Sequence, residues 1–257
     1  MSLDMEEIRE YVRLNIVEFH QNRLKALKSL KLEKILKRKN PYLFKAKNIL
    51  KAQTLVENLL DAYLSSQEET IFGEFLEGLA IYICGKVCNG RKSSSEGIDL
   101  EFELEGIKYI VSVKSGPNWG NSRQLSKMRE DFKRATKILR TSNSKINVIA
   151  VNGCCYGQDN KNMGDYFKYC GQKFWEFISG NENLYIEIIE PLGCQAKERN
   201  DSFTKEYAKI INNFTHEFIE EFCKDGAVEW EKLVEFNSGK EKIKKESKRT
   251  KKDKNTG

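Results

Sequence analysis

The run Gly97-Ile98-Asp99-Leu100-Glu101-Phe102-Glu103-Leu104-Glu105-Gly106-Ile107-Lys108-Tyr109-Ile110-Val111-Ser112-Val113-Lys114 decides the fold. Leu100, Phe102 and Leu104 alternate with Asp99, Glu101 and Glu103, the period of a strand with one buried face. Glu105-Gly106 is a two-residue turn, and Ile107–Lys114 then forms the partner strand of a β-hairpin. Residues two apart on a strand point the same way, so Ser112 shares a face with Lys114. Asp99 stands at the entrance of the first strand and Lys114 at the end of the second. Asp99, Ser112 and Lys114 are therefore expected to meet at one end of the hairpin.

Outward from the hairpin the period changes to that of helices. Upstream, Thr70 is placed to cap a helix carrying Phe72, Phe75, Leu76, Leu79 and Ile83 on one face. Glu74 falls opposite that face and Glu77 at its border, the better position for reaching a neighbouring cleft. Residues 5–36 have helical spacing (Ile8, Val12, Ile16, Phe19, Leu24, Leu27, Leu30, Ile35), and Asn40-Pro41 breaks the run. A second helix is expected over residues 44–64, ended by Ser65-Ser66.

Downstream, Gly116-Pro117-Asn118-Trp119-Gly120-Asn121 cannot continue a strand and reads as a structured loop. Ser122 or Ser126 opens a helix with Leu125, Met128, Phe132, Ala135 and Leu139 at helical spacing. Residues 146–151 are apolar except for Asn147, as in a buried strand beside the hairpin. Residues 185–189 read as a further strand ended at Pro191, and residues 203–222 and 229–236 as helices. The expected fold class is α/β, a mixed central sheet flanked by helices, with helical N- and C-terminal additions. The expected domains are a helical N-terminal arm over 1–64, a catalytic core over 65–237 and a disordered lysine-rich tail over 238–257.

The net charge of +6 is unevenly spread. Residues 238–257 hold nine basic residues against three acids, which accounts for all of it. Within the remainder, residues 21–51 hold eleven basic residues and the single acid Glu33. Such a stripe on an otherwise neutral chain points to phosphate contact through counterion release, whereas the tail reads as a solvated segment. Seven cysteines, an odd number without an export signal, argue for free thiols rather than a disulfide framework. Cys154, Cys155, Cys170 and Cys194 form no Cys-x-x-Cys pair, which argues against zinc. No apolar run approaches the roughly 18 residues that span a bilayer, and the expected location is the cytoplasm. Gly153-Cys154-Cys155-Tyr156-Gly157 lacks the Gly-Lys-Ser/Thr ending of a nucleotide-binding loop.

An acid and a lysine at one end of a hairpin suit phosphodiester hydrolysis, which needs a cation held against the phosphate and a charge to orient water or phosphate. The text around them, Gly97-Ile98-Asp99-Leu100-Glu101-Phe102 followed by Val111-Ser112-Val113-Lys114-Ser115-Gly116-Pro117-Asn118-Trp119-Gly120-Asn121-Ser122-Arg123-Gln124, resembles the PD-(D/E)XK nuclease superfamily. More narrowly it is similar to a group of type II restriction endonucleases with Ser-Gly-Pro-Asn-Trp-Gly-Asn-Ser directly after the catalytic lysine. The resemblance is strongest over about fifty residues, and Gly73-x-x-x-Glu77 also fits it.

That resemblance implies a Mg2+-dependent, sequence-specific double-stranded DNA endonuclease in which Asp99 is the metal ligand and Lys114 the catalytic lysine. It implies Glu77 as the helix glutamate aimed at the metal. Two departures stand out: Ile98 replaces the proline, and Ser112 occupies the place of the second acid. In similar Ser-x-Lys enzymes a glutamate from the following helix takes over, and here Glu130 is the nearest such acid. Glu77 competes with it for that role, with Glu103 as a third choice. Asn118, Asn121, Arg123 and Gln124 are side-chain types that pair with base edges or phosphate. A twofold homodimer is expected for cutting both strands of a palindrome, with a cognate DNA methyltransferase in the same system. The alternative is a catalytically inactive or structure-specific nucleic-acid-binding protein of the same fold. The two histidines leave little material for a histidine-based nuclease and leave a carboxylate and lysine site untouched.

Overall fold

The computed structural model describes residues 3–193 and 196–239; Cys194 and the expected tail from residue 240 onward lie outside the described residues. Helix α1 (Met5–Lys28) starts at Asp4, whose carboxylate accepts from the Glu6 N–H, and has Glu6 and Glu7 in its first turn and Lys25 and Lys28 in its last. Those charges oppose the helix dipole at both ends. At Ser29 both the backbone N–H and the hydroxyl turn back onto the Ala26 carbonyl, which stops the helix. The single helix expected over residues 5–36 is thus two, α1 and α2 (Leu32–Arg38). Asn40-Pro41 does break the run, and it also starts α3 (Pro41–Ala46): proline sits in the first turn and Asn40 caps the Tyr42 and Leu43 N–H groups.

Helix α4 (Ala52–Cys88) replaces the two helices expected around Ser65-Ser66. Thr70 is no cap, because its hydroxyl donates to the Ser66 carbonyl one turn back, the way a hydroxyl is satisfied inside a helix. Then follow β1 (Arg91–Lys92), β2 (Leu100–Leu104), β3 (Ile107–Lys114), α5 (Ser122–Ser142), β4 (Asn147–Cys154), β5 (Lys161–Asn162) and β6 (Phe167–Cys170). The chain continues through α6 (Gln172–Ser179), α7 (Leu184–Glu187), α8 (Ile189–Leu192), α9 (Ala196–Phe222), β7 (Cys223–Lys224), β8 (Ala227–Val228) and α10 (Trp230–Ser238). Residues 185–189, expected as a strand, are helical. Leu184 and Ile188, four apart, are buried, while Tyr185, Ile186 and Ile189 between and beside them are exposed. Pro191 lies within α8 rather than ending a strand.

The described residues fall into two compact units, those of 3–29 with 64–207 and those of 30–63 with 208–239. The first carries a six-stranded sheet in the order β1-β2-β3-β4-β6-β5. β2 and β3 are antiparallel, and the turn between them has Glu105 and Gly106 at φ 52° and 73°, the left-handed pair of a tight hairpin. β4 runs parallel to both β3 and β6. One face of the sheet buries Leu100, Phe102, Val111 and Val151 with Leu79 and Ile83 of α4, Ile8 of α1 and Trp175 of α6. The other buries Ile110 and Ala150 under Met128, Phe132 and Ala135 of α5. Helices on both faces explain why β4 is apolar almost throughout. Glu101, which strand alternation places outward, is buried instead, because Arg91 of β1 and Lys108 of β3 close over it at 2.7 and 3.6 Å.

In the second unit α10 is tied down by Asn237, whose amide donates to the Leu36 and Lys39 carbonyls at 2.6 and 3.2 Å. Part of the basic stretch is absorbed here: Lys39 Nζ donates to the Ala62 carbonyl at 2.7 Å, and Lys45 lies 5.4 Å from the Trp230 ring. In the first unit Arg23 pairs with Glu68 and stacks 3.5 Å above Phe203. Several of these cations are therefore occupied in packing and hydrogen bonding.

Candidate active site

The end of the hairpin brings Asp99, Ser112 and Lys114 together. The Asp99 N–H donates to the Val111 carbonyl at 2.9 Å, which carries the ladder one residue beyond β2 and fixes the Asp99 backbone. Its Oδ2 accepts from the Val113 N–H at 2.7 Å, the Ser112 hydroxyl at 3.4 Å and Lys114 Nζ at 3.5 Å. A carboxylate held by a backbone N–H cannot rotate freely, and all these bonds fall on one oxygen. The Asp99 and Lys114 side chains remain 21% and 29% exposed, open to an incoming group.

A polar row continues across the sheet: Ser112 lies opposite Asn152 on β4, and Asn152 opposite Lys168 on β6. Asn152 is buried, donates to the Ser112 carbonyl at 3.3 Å and accepts from the Trp119 indole N–H at 3.3 Å. The Trp119 ring in turn lies 5.3 Å from Lys114 Nζ, within range of a cation–π contact. Lys168 Nζ donates to the Pro117 carbonyl at 3.0 Å and to Asp159 at 2.8 Å. The loop after Lys114 is thus clamped from below by two strands. Sequence reading passed over Asn152, since a polar residue after an apolar strand says nothing of what the topology sets beside it.

The charges of this row have definite directions. Hydrogen bonds from Lys161 and then Lys168 bring the Asp159 carboxyl down to about 2. Burial opposes the charge on Lys168, but Asp159 outweighs it and the ammonium is strengthened. The Cys154 thiol is pushed up to about 12, first by burial and then by Cys170, so that sulfur stays protonated and inert.

Glu77 sits half-buried on α4, its Oε1 3.4 Å from Lys92 Nζ, while Glu74 is exposed. A side-chain carbon built on Gly73 would lie 3.7 Å from Ser115, so this face of α4 passes the end of β3, with Glu77 one turn further on. Both Glu77 and Lys114 act on the buried Cys155 thiol, which burial above all pushes up, followed by Cys154 and Glu77, with Lys114 opposing. Glu130 is exposed on α5, and its neighbour Asp131 is the buried acid of that helix, held by Arg134 and Lys127 at 2.6 and 2.9 Å. Glu103 is exposed on β2. Asn121 caps α5 in a reciprocal box: its Oδ1 accepts from the Gln124 N–H at 3.1 Å, and Gln124 Oε1 accepts from the Asn121 N–H at 2.9 Å. The two amide NH2 groups of that pair are left for other partners. Asn118 and Arg123 are exposed.

Among the described residues no three acidic, histidine or cysteine side chains cluster as a cation cage. Magnesium needs none, because it binds through one or two carboxylates with substrate phosphate and water. Asp99, with one oxygen fixed and the other outside the hydrogen bonds described above, fits that mode.

A mixed sheet covered by helices on both sides, with an acid and a lysine paired at the end of its hairpin, is the layout of a restriction-endonuclease-like fold. A family model for type II restriction endonuclease EcoO109I matches residues 6–200, and the chain belongs to that family. No curated protein matches the chain. Among the described residues no helix is long and apolar enough to cross a membrane.

Proposed function

We propose that the protein is a Mg2+-dependent endonuclease of the PD-(D/E)XK type that cuts double-stranded DNA at specific sequences. The observation that carries this reading is the pairing of Asp99 with Lys114 at the end of β2 and β3 in a chain of the EcoO109I family. Asp99 is the metal ligand. Held there, magnesium would supply positive charge to offset what develops on the phosphate and would help to deprotonate the attacking water. Lys114, steered by the Trp119 ring, presents its ammonium to a phosphate oxygen or to the attacking water. Ser112 has no charge to offer and serves by holding Asp99. For the second acid Glu77 is preferred to Glu130, because it is half-buried on a face that passes the end of β3, whereas Glu130 is exposed on α5. Asn118, Arg123 and the amide groups of Asn121 and Gln124 are the candidate DNA contacts.

The enzyme acts as a cytoplasmic homodimer beside a cognate DNA methyltransferase. Purified protein incubated with phage DNA and Mg2+ is expected to yield discrete fragments that vanish with EDTA. Binding without cutting would favour the inactive relative that Ser112 suggests, and random degradation would refute sequence specificity.

A further inference from the structure

A groove of about 580 Å³ runs along α5 on the side of β4, with Phe132, Val148 and Ala150 lining its apolar part. Arg129, Lys133, Lys137 and Arg140 line it as well, four cations against the single acid Asp165. Arg129, Lys133, Thr136 and Arg140 follow each other at helical spacing and make one continuous stripe. The cations of α5 differ in how they are used. Lys127 and Arg134 are neutralised by Asp131 and Glu96, and Arg129 faces Asp165 at 3.6 Å. Lys133, Lys137 and Arg140 have no acid within ion-pair distance among the described residues. β6 meets β4 only from Val151 onward, so the groove opens where Val148 and Ala150 have no strand beside them on that side among the described residues.

We infer that this groove is a binding site for the phosphate backbone of duplex DNA outside the cleavage point. The inference rests on the DNA-cleaving reading above and adds a second place of contact to it. Three unneutralised cations on a rigid helix, with Thr136 between them, match a row of phosphates and supply affinity without reading bases. Ala150 lies four residues before Cys154, the register partner of Lys114, hence about 13 Å from it along the strand. At roughly 3.4 Å of duplex axis per phosphate, the groove meets phosphates about four base pairs and more from the scissile one.

The test compares the full-length protein with its Lys133→Gln/Lys137→Gln/Arg140→Gln variant, whose exposed side chains leave the core intact. Affinity for a cleavable duplex is measured by anisotropy with Ca2+ in place of Mg2+, from about 50 to 300 mM KCl, since phosphate contacts appear in the salt slope. The variant is expected to lower the slope by about two to three and to keep the cleavage rate at saturating DNA, because each lost phosphate contact removes about 0.9. Neutral methylphosphonate linkages about four to six base pairs from the cut are expected to reproduce the loss in the unmodified protein and to have little further effect on the variant. An unchanged slope in a variant whose parent binds and cuts DNA overturns the groove assignment alone. Should the variant keep its DNA affinity and lose binding to poly-glutamate, the groove belongs to an acidic protein partner instead. Failure of the parent to bind DNA at all would remove the DNA-cleaving reading, and this inference with it.

Discussion

The indole N–H of Trp119 donates to the side-chain oxygen of Asn152 over 3.3 Å, and the face of the same indole lies 5.3 Å from the Lys114 ammonium. A buried amide on β4 thereby sets the lysine at the end of β3 through a ring on the loop between β3 and α5. Asn152→Ala leaves the Trp119 N–H and the Ser112 carbonyl without their partner, and a loss of about 2 to 3 kcal/mol of stability is expected. Trp119→Phe keeps an aromatic face, though a smaller one, and removes one hydrogen bond, for about 1 kcal/mol from that bond. Urea denaturation of both single variants and the double variant checks this. The two effects should be clearly non-additive, and simple additivity would show that the contact carries no energy. Cleavage should fall about tenfold or more in Asn152→Ala, because a displaced lysine no longer meets the phosphate in line.

Asp99→Ala and Lys114→Ala are each expected to lower cleavage by roughly a thousandfold. The circular dichroism spectrum should stay unchanged, since both side chains lie at an open strand end rather than in the core. Full activity in either variant removes the site assignment.

The hairpin and its turn were legible because strand alternation and the Glu-Gly pair are local signals. So was the face of α4, with Glu74 outward and Glu77 half-buried. Residues 185–189 misled because a short run of branched and aromatic residues satisfies a strand as well as a helix, and only the burial of Leu184 and Ile188 decides between them. The continuity of α4 was hidden by Ser65, Ser66 and Thr70, which resemble a stop and a cap until packing holds the helix through them. β6 and the Asn152 to Trp119 bond depend on which strands become neighbours, a relationship that spacing along the chain does not carry. Asp131 escaped for a similar reason: a helix acid looks solvated until Gly97 is seen to lie against it.

Glu77→Gln and Glu130→Gln separate the two candidates for the second acid. Loss of a carboxylate ligand weakens magnesium binding, so Glu77→Gln should need about tenfold or more Mg2+ for half-maximal cleavage, and Glu130→Gln about the parental amount. Titrating Mg2+ against cleavage rate for both variants gives the answer. The reverse pattern would transfer the role to α5.

Gly97 has φ 78°, and a side-chain carbon there would lie 2.3 Å from Asp131 Oδ2 and 2.8 Å from Asp131 Cβ. Asp131 cannot retreat easily, being held by Lys127 and Arg134. Gly97→Ala is therefore expected to lose about 1 to 3 kcal/mol through backbone strain and contact. Because Asp99 is two residues further on, the same change should lower cleavage in the surviving folded protein. Thermal unfolding combined with rates measured at low temperature distinguishes the two effects, and an unchanged melting temperature would contradict the close packing of α5 on Gly97.

Asp159 supplies the test in pH. Its carboxyl is lowered to about 2 by Lys161 and then Lys168, while in an unfolded chain it titrates near 3.9, an approximate value for an unperturbed aspartate. A group whose pKa is depressed by folding adds stability that is complete above the unfolded value and lost as the pH falls through the folded one. The pairing of Asp159 with Lys168, which holds the Pro117 carbonyl, should thus persist through neutral and mildly acidic pH and give way only between about 4 and 2. A carboxyl carbon titration of Asp159 by NMR should show its midpoint far below the ordinary aspartate range, and Lys168→Met should move it upward. An ordinary midpoint in the parent protein would mean that Lys168 is free of Asp159 in solution and that the loop after Lys114 lacks this support.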